Sequence, residues 1–212
     1  IDASDTSLRE KIERRTRNLQ LTARIGRSVA ALHDVDPLLN RAINLICDEF
    51  GFYHAQVFLV DDAGLNALLA YSRGKAGQRL LEQNFKIPVG SDSVVGTVTA
   101  TGEPVIVNDT QARSKVPHRH NPILAETRAE LGLPLVAGDR VIGVLDIQSK
   151  QADAFTEEDL PTFNLLADQL AVAINNARLV SQSEDRIQQI DTLNRQLTSI
   201  AWNESDQGSG LN

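Results

Sequence analysis

Two histidines one residue apart offer the first chance of chemistry in this 212-residue chain. His118-Arg119-His120 has the spacing to give a metal two ligands, but no cysteine lies nearby and the closest acid downstream is Glu126. A full coordination sphere is missing, and two solvated loop histidines are expected, with no metal. Cys47 is the one thiol. It cannot close an internal disulfide, and its setting, Leu45-Ile46-Cys47-Asp48-Glu49-Phe50, reads as an apolar-periodic helix that makes it a small buried hydrophobe. With no Lys, Arg or His close in sequence to lower its pKa, it is expected to be inert. Two hydroxyl-bearing stretches, Gly90-Ser91-Asp92-Ser93 and Thr127-Arg128, lack a neighbouring histidine that would complete a nucleophile–base pair. Structural packing or surface placement is expected for His54, which follows Phe52-Tyr53 into a strand. No constellation reads as catalytic.

Charge narrows the partners. The net charge is −7, yet residues 1–33 carry seven Lys/Arg against four Asp/Glu, a balance of +3 that leaves −10 for the rest. An acidic body argues against nucleic acid, which calls for clustered Lys/Arg. The basic arm (Arg9, Lys11, Arg14, Arg15, Arg17, Arg24, Arg27) reads as a solvated helix face. No apolar run reaches the ~20 residues of a membrane helix, so the segment is expected to be free of membrane contact, whatever anchors its parent, and its one unpaired cysteine fits a reducing, cytoplasmic setting. The chain contains no methionine, which suits a piece of a longer polypeptide.

These residues must be positioned by alternating helices and hairpins. Residues 7–32 read as a helix with a coiled-coil-like stripe at Leu8, Ile12, Leu19, Ile25, Val29 and Leu32. Asp36 as N-cap and Pro37 as first helical residue start a second helix, which Gly51 stops. His54–Val60 and Ala67–Ser72 pair around a turn at 61–64, and a short helix near 76–83 leads to an edge strand at 85–89, where Pro88 cannot donate to a ladder. Val94–Ala100 is a short helix stopped by Gly102, and Pro104–Val107 a strand. A polar loop covers 110–127, and Leu131–Val136 and Arg140–Gln148 form a hairpin around Gly138-Asp139. Thr156 and Asp159 suggest a capping box, with Phe155 and Leu160 as its staple. Pro161 should disturb the helix that follows. That helix runs to Ala201, roughly 65–70 Å at ~1.5 Å per residue, too long for one domain to cover.

The hairpin Glu130-Leu131-Gly132-Leu133-Pro134-Leu135…Gly143-Val144-Leu145-Asp146…Ser149 is followed by Phe155-Thr156-Glu157-Glu158-Asp159. A helix then ends in Ala171-Val172-Ala173-Ile174-Asn175-Asn176-Ala177-Arg178-Leu179. The combination resembles the GAF domains of bacterial sensor kinases and related signalling proteins, over roughly Leu21 to Leu179. The resemblance implies an α+β fold: a central antiparallel sheet of five or six strands, helices 37–50 and 156–178 on one face, a ligand pocket on the other. It divides the chain into an N-terminal signalling helix (1–33), a sensory domain (34–178), a helical extension (179–204) and a linker (205–212). Some relatives reduce methionine sulfoxide with several pocket cysteines, which a single Cys47 cannot do. The loop where bilin-carrying members place their cysteine, here 108–122, has none. The N-K-x-n-F-x-x-x-D-E pattern of cyclic-nucleotide binders is absent.

Position on that fold nominates Tyr71, Phe85, Val95, Val98, Val107, Asn108, Asp109, His118, Arg119, Arg128, Glu130, Asp146 and Gln148 as pocket residues, and leaves the ligand unnamed. Arg119 and Arg128 can pair an anionic ligand, while Arg128 and Glu130 can equally be exposed or ion-paired on a strand edge. The implied function is a small-molecule-sensing module that couples pocket occupancy to its terminal helices. The alternative is a spacer and dimeriser with a self-filled pocket. Ile187, Ile190, Leu193, Leu197 and Ile200 keep a three/four spacing beyond the domain's own core. A parallel homodimer is therefore expected, with Leu8, Ile12 and Leu19 lying beside that stripe in a bundle.

Overall fold

The computed structural model describes residues 3–32, 34–112 and 121–208, with backbone alone at 3–8, 10, 11, 14 and 197–208. Along it run α1 (Ala3–Ala30), α2 (Val35–Phe50), β1 (His54–Val60), β2 (Asn66–Ser72), α3 (Gly74–Glu82), β3 (Lys86–Pro88), α4 (Val94–Thr101), β4 (Val105–Val107), β5 (Ala129–Ala137), β6 (Arg140–Ser149) and α5 (Leu160–Gly208). A 3-10 turn occupies Pro122–Leu124. The strands form one six-stranded sheet in the order β3-β2-β1-β6-β5-β4, antiparallel at every pairing. This is the α+β architecture the hairpin pattern implied, with Pro88 on the edge strand.

Period-two alternation divides β6 between two environments. Leu145 and Ile147 enter the larger core with Val57, Leu131 and Leu133, against Ile43 and Ile46 of α2 and Leu166, Leu170 and Ile174 of α5. Asp146 and Gln148 point to the other face, where α4 packs Val94, Val95 and Val98 against Phe58 and Val144. Each buried aliphatic side chain stabilises by roughly 1.5–3 kcal/mol. Gly132 brings α4 close to β5: a Cβ there would lie 2.6 Å from Val94 Cγ1 and 3.0 Å from Val98 Cγ2.

The helix starts differ from the sequence reading. The cap of α2 is Asp34 rather than Asp36, so Pro37 falls within the first turn, where its missing N–H still costs nothing. Gly51 ends the helix in the left-handed region, φ +76°, its N–H bonded to Cys47 O. Thr156 donates to Asp159 Oδ2 at 2.7 Å, but residues 157–159 form a turn and α5 begins at Leu160. Pro161 thereby falls in the first helical turn and disturbs nothing. The helix continues through Gly208, so no linker begins at 205 within the described residues.

Arg24 of α1 pairs with Glu49 at 3.1 Å, and Phe50 packs against Phe163 in a tilted arrangement with ring centroids 5.5 Å apart. α1 is therefore antiparallel to α2 and parallel to α5. Its N-terminal half projects from one end of the domain and the C-terminal half of α5 from the other. Ile12 and Leu19 accordingly do not lie beside Ile187, Ile190 and Leu193, and all five are exposed. The side chains of Leu8, Leu197 and Ile200 lie outside the described residues. Ile25 and Val29 are buried against α2 and α5, so the second half of α1 belongs to the domain core, across the 33/34 boundary. No described helix is long and apolar enough to cross a membrane.

Cys47 is buried on the helix face. Burial pushes its thiol up, partly offset by Arg73, which the fold brings alongside although it is distant in sequence. Arg73 also donates to Asp48 Oδ1 at 2.7 Å.

Candidate functional site

Two adjacent rows of paired residues build a polar floor on the α4 side of the sheet. The first runs Ser72–Gln56–Asp146–Gly132 and the second His54–Gln148–Glu130 across neighbouring strands. Because the rows are two residues apart, all of these positions share one face. Every one of these polar side chains is buried, so each needs a partner. Gln56 Nε2 and Gln148 Nε2 donate to Asp146 Oδ2 at 2.7 and 2.8 Å. Thr127 donates to Gln148 Oε1 at 2.6 Å, and the Tyr53 hydroxyl hydrogen-bonds Thr127 Oγ1. On the other side Ser72 Oγ donates to Gln56 Oε1 at 3.2 Å and lies 3.1 Å from His54 Nε2.

Glu130 and Asp146 hydrogen-bond each other. Two carboxyls can do so only with a proton between them. Both amide donors go to Asp146 Oδ2, while Oδ1 is buried with no hydrogen-bond partner among the described residues. Burial pushes Glu130 up to about 7 and, with the Glu130 charge beside it, holds Asp146 well above the usual carboxylate range. Burial acts oppositely on His54, lowering it to about 4 and keeping the imidazole neutral.

A cavity of about 190 Å³ stands over this floor. Gln56, Glu130, Asp146 and Gln148 form its base. Ser93, Val94 and Val95 come from the start of α4, Phe85 and Ile87 from the β3 region, and Asn121, Pro122, Leu124 and Thr127 from the segment before β5. Both approaches are capped locally: Ser93 Oγ accepts from Gly96 N at 3.0 Å and Asn121 Oδ1 from Ile123 N at 3.0 Å.

Of the residues nominated from sequence, Phe85, Val95, Glu130, Asp146 and Gln148 meet at this cavity. Val98 and Val107 lie in the apolar cluster behind its wall. Tyr71 is on the opposite face, where its hydroxyl accepts from Asn44 Nδ2 at 3.2 Å. Strand β2 shifts register opposite Val57/Phe58, which turns Tyr71 toward the helices. Arg128 forms a bidentate pair with Asp109, Nη2 standing 3.1 Å from each carboxylate oxygen, so both charges are spent on each other at the sheet edge. Asn108 sits beside them, its carbonyl accepting from Asp153 N at 2.8 Å. His118 and Arg119 lie outside the described residues. Among the described residues no cluster of three His, Cys, Asp or Glu could hold a metal ion.

Gln56, Ser72 and His54 had a signal that the sequence reading passed over. Each is polar and alternates with apolar neighbours in a strand. Ser93, Asn121 and Thr127 carry no such mark, because their place depends on loop geometry.

Residues 33–175 match the family profile described as GAF domain. The chain belongs to the GAF domain family. Among solved structures, this GAF domain is similar to the free methionine-R-sulfoxide reductase of Neisseria meningitidis in complex with its substrate, at 27% identity over 76% of this chain and 89% of that one, TM-score 0.65. The GAF domain of a phosphoenolpyruvate-protein phosphotransferase from Coxiella burnetii shares the fold at 22% identity, 79% and 98% coverage and TM-score 0.69. Its counterpart from Acinetobacter does so at 22%, 76% and 95%, TM-score 0.62. The solved relatives thus include an enzyme as well as domains of larger proteins. No curated protein matches the sequence.

Proposed function

We propose that this GAF domain is a non-enzymatic, cytoplasmic small-molecule sensor within a larger signal-transduction protein such as a histidine kinase. Its ligand is a compact primary amine with an apolar body. The observation that carries this reading is the Glu130–Asp146 pair at the base of the cavity. An ammonium group set against it replaces the shared proton and offsets the cost of burying two carboxylates, while Gln56 and Gln148 hold Asp146 in place. Phe85, Ile87, Val94, Val95, Pro122 and Leu124 provide apolar wall for the rest of the molecule. The cavity, about 190 Å³, falls below the ~300–1,000 Å³ of drug-sized sites, which favours a small metabolite over a nucleotide or a tetrapyrrole.

Sulfoxide reduction does not fit the wall. The single thiol, Cys47, lies on the opposite face of the sheet. Coupling to the helices is one strand thick, because Asp146 and Gln148 alternate with Leu145 and Ile147, which pack in the core shared with α5. A ligand can shift that packing only by its differential affinity for two arrangements.

Thermal-shift titration with a panel of small primary amines, supported by native mass spectrometry of the purified chain, tests the proposal. At least one amine should raise the melting temperature in the wild type and fail to do so in Asp146→Asn. A bare native mass with no amine shifting the transition overturns the sensor reading in favour of a spacer with a self-filled cavity.

A further inference from the structure

Two hydrogen-bond chains start at adjacent residues, Tyr53 and His54, and end on the same oxygen. The first passes from the Tyr53 hydroxyl to Thr127 Oγ1, from Thr127 to Gln148 Oε1 at 2.6 Å, and from Gln148 Nε2 to Asp146 Oδ2 at 2.8 Å. Tyr53 lies farther from Gln148 Oε1, at 3.5 Å, a contact too long to bypass Thr127. The second chain passes from His54 Nε2 to Ser72 Oγ at 3.1 Å, from Ser72 to Gln56 Oε1 at 3.2 Å, and from Gln56 Nε2 to Asp146 Oδ2 at 2.7 Å.

The direction of each chain follows from its protons. A hydroxyl has one to give. Thr127 gives its proton to Gln148 and Ser72 gives its own to Gln56, so Tyr53 donates to Thr127 and His54 to Ser72. The neutral imidazole therefore carries its hydrogen on Nε2. Direction matters because a carboxamide has nearly the same shape either way round. Turned over, Gln56 or Gln148 would set its Oε1 against Asp146 Oδ2, oxygen against oxygen. With Tyr53 and His54 donating inward from the outer ends, neither hydroxyl is placed to accept from a turned amide.

Asp146 Oδ2 thus holds two hydrogen bonds, and Oδ1 is buried without a partner among the described residues. Tyr53, His54 and Ser72 all lie outside the cavity lining. Tyr53 is half-buried, with Lys150 Nζ 5.3 Å from its ring centroid and in turn 2.8 Å from Glu126. Among the described residues the other titratable groups around the acid pair are Tyr53, His54 and Glu126, while the wall from α4 and the β3 region carries no charge.

We propose that Tyr53, His54 and Ser72 are positioning residues for the ammonium site: acting through Thr127 and the two glutamines, they keep Asp146 Oδ2 occupied and leave Oδ1 to the ligand. The ligand half of this inference rests on the amine reading above; the orientation of the amides does not. Two donors on one oxygen favour the ionised carboxylate, the form an ammonium group requires. Breaking a chain lets its glutamine turn, which replaces a donor with an acceptor, and the pair then holds its proton to higher pH.

Tyr53→Phe and Ser72→Ala each delete one hydroxyl outside the cavity. Carboxyl-carbon NMR of the ligand-free full chain should show the titration midpoint of the Glu130–Asp146 pair rise by ~1 unit in each variant. Thermal-shift titration with n-butylamine at neutral pH should show its apparent Kd weaken about tenfold, one unit being a factor of ten. Tyr71→Phe, which deletes a hydroxyl on the opposite face of the sheet, should move neither readout. Variants that melt lower yet keep the wild-type midpoint would assign the hydroxyls to the fold alone and overturn the proposal. A wild-type Kd for n-butylamine in both variants would overturn it as well. If n-butylamine fails to bind the wild type, the amine reading is what fails, and the midpoints by themselves decide the positioning.

Discussion

Gln56 Nε2 donates to Asp146 Oδ2 at 2.7 Å across the two central strands of the sheet. The carboxamide has no charge to give, so it orients Asp146 without forcing ionisation, and the proton shared with Glu130 survives near neutral pH.

Stability should therefore fall as pH rises through neutrality. Glu130 is pushed up to about 7 from an ordinary 4.5. The native state thus keeps a proton that the unfolded chain has released, and its stabilising effect disappears above the folded value. His54, lowered to about 4, acts in the opposite sense but only below its ordinary 6.5. Between pH 6.5 and 8 the acid pair supplies the shifted titration among the described residues. The melting temperature should drop on the order of 5 °C across that window, and Glu130→Gln should flatten the slope. A flat wild-type profile would show that the pair shares no proton.

Gly132→Ala should cost about 1–3 kcal/mol by overpacking, because its Cβ would press into Val94 and Val98 of α4. Both are branched and stiff at χ1, so neither can swing aside cheaply. Urea denaturation reads the effect directly. An unchanged midpoint would mean that α4 rides loosely over the sheet.

A fragment of residues 34–178 should fold but melt well below the full chain. Ile25 and Val29 are 2 and 1% exposed, and losing their burial removes roughly 3–6 kcal/mol at ~1.5–3 kcal/mol each. Extending the fragment back to Leu21 should restore most of that. Equal melting temperatures for the two fragments would place α1 outside the cooperative unit.

The strands were legible because their apolar residues alternate and their turns carry glycine: His54–Val60 is the strand the sequence described. Helix starts were less so, since Asp34 and Asp36 are equally good caps by composition and only packing chooses between them. The cavity was half legible. Glu130, Asp146 and Gln148 were nominated from position on the fold, yet Glu130 turned out to be a buried strand residue paired with Gln148 and diagonal to Asp146, away from any exposed edge. Arg128 and Asp109 are nineteen residues apart, and nothing local in the chain announces that they neutralise each other. Tyr71 was misplaced by a register shift, which moves a side chain from one face to the other without leaving a trace in composition.

Since α5 is one unbroken helix from Leu160 to Gly208, it behaves as a drive shaft. The angular phase at its far end is locked to the phase at the sheet, and any domain attached beyond it inherits that angle. One residue inserted after Leu179 would rotate everything downstream by about 100° and advance it ~1.5 Å. Seven would return the face nearly to its original heading. A segment joined to this helix would thus take a setting in degrees, fixed by the length of the shaft counted in residues.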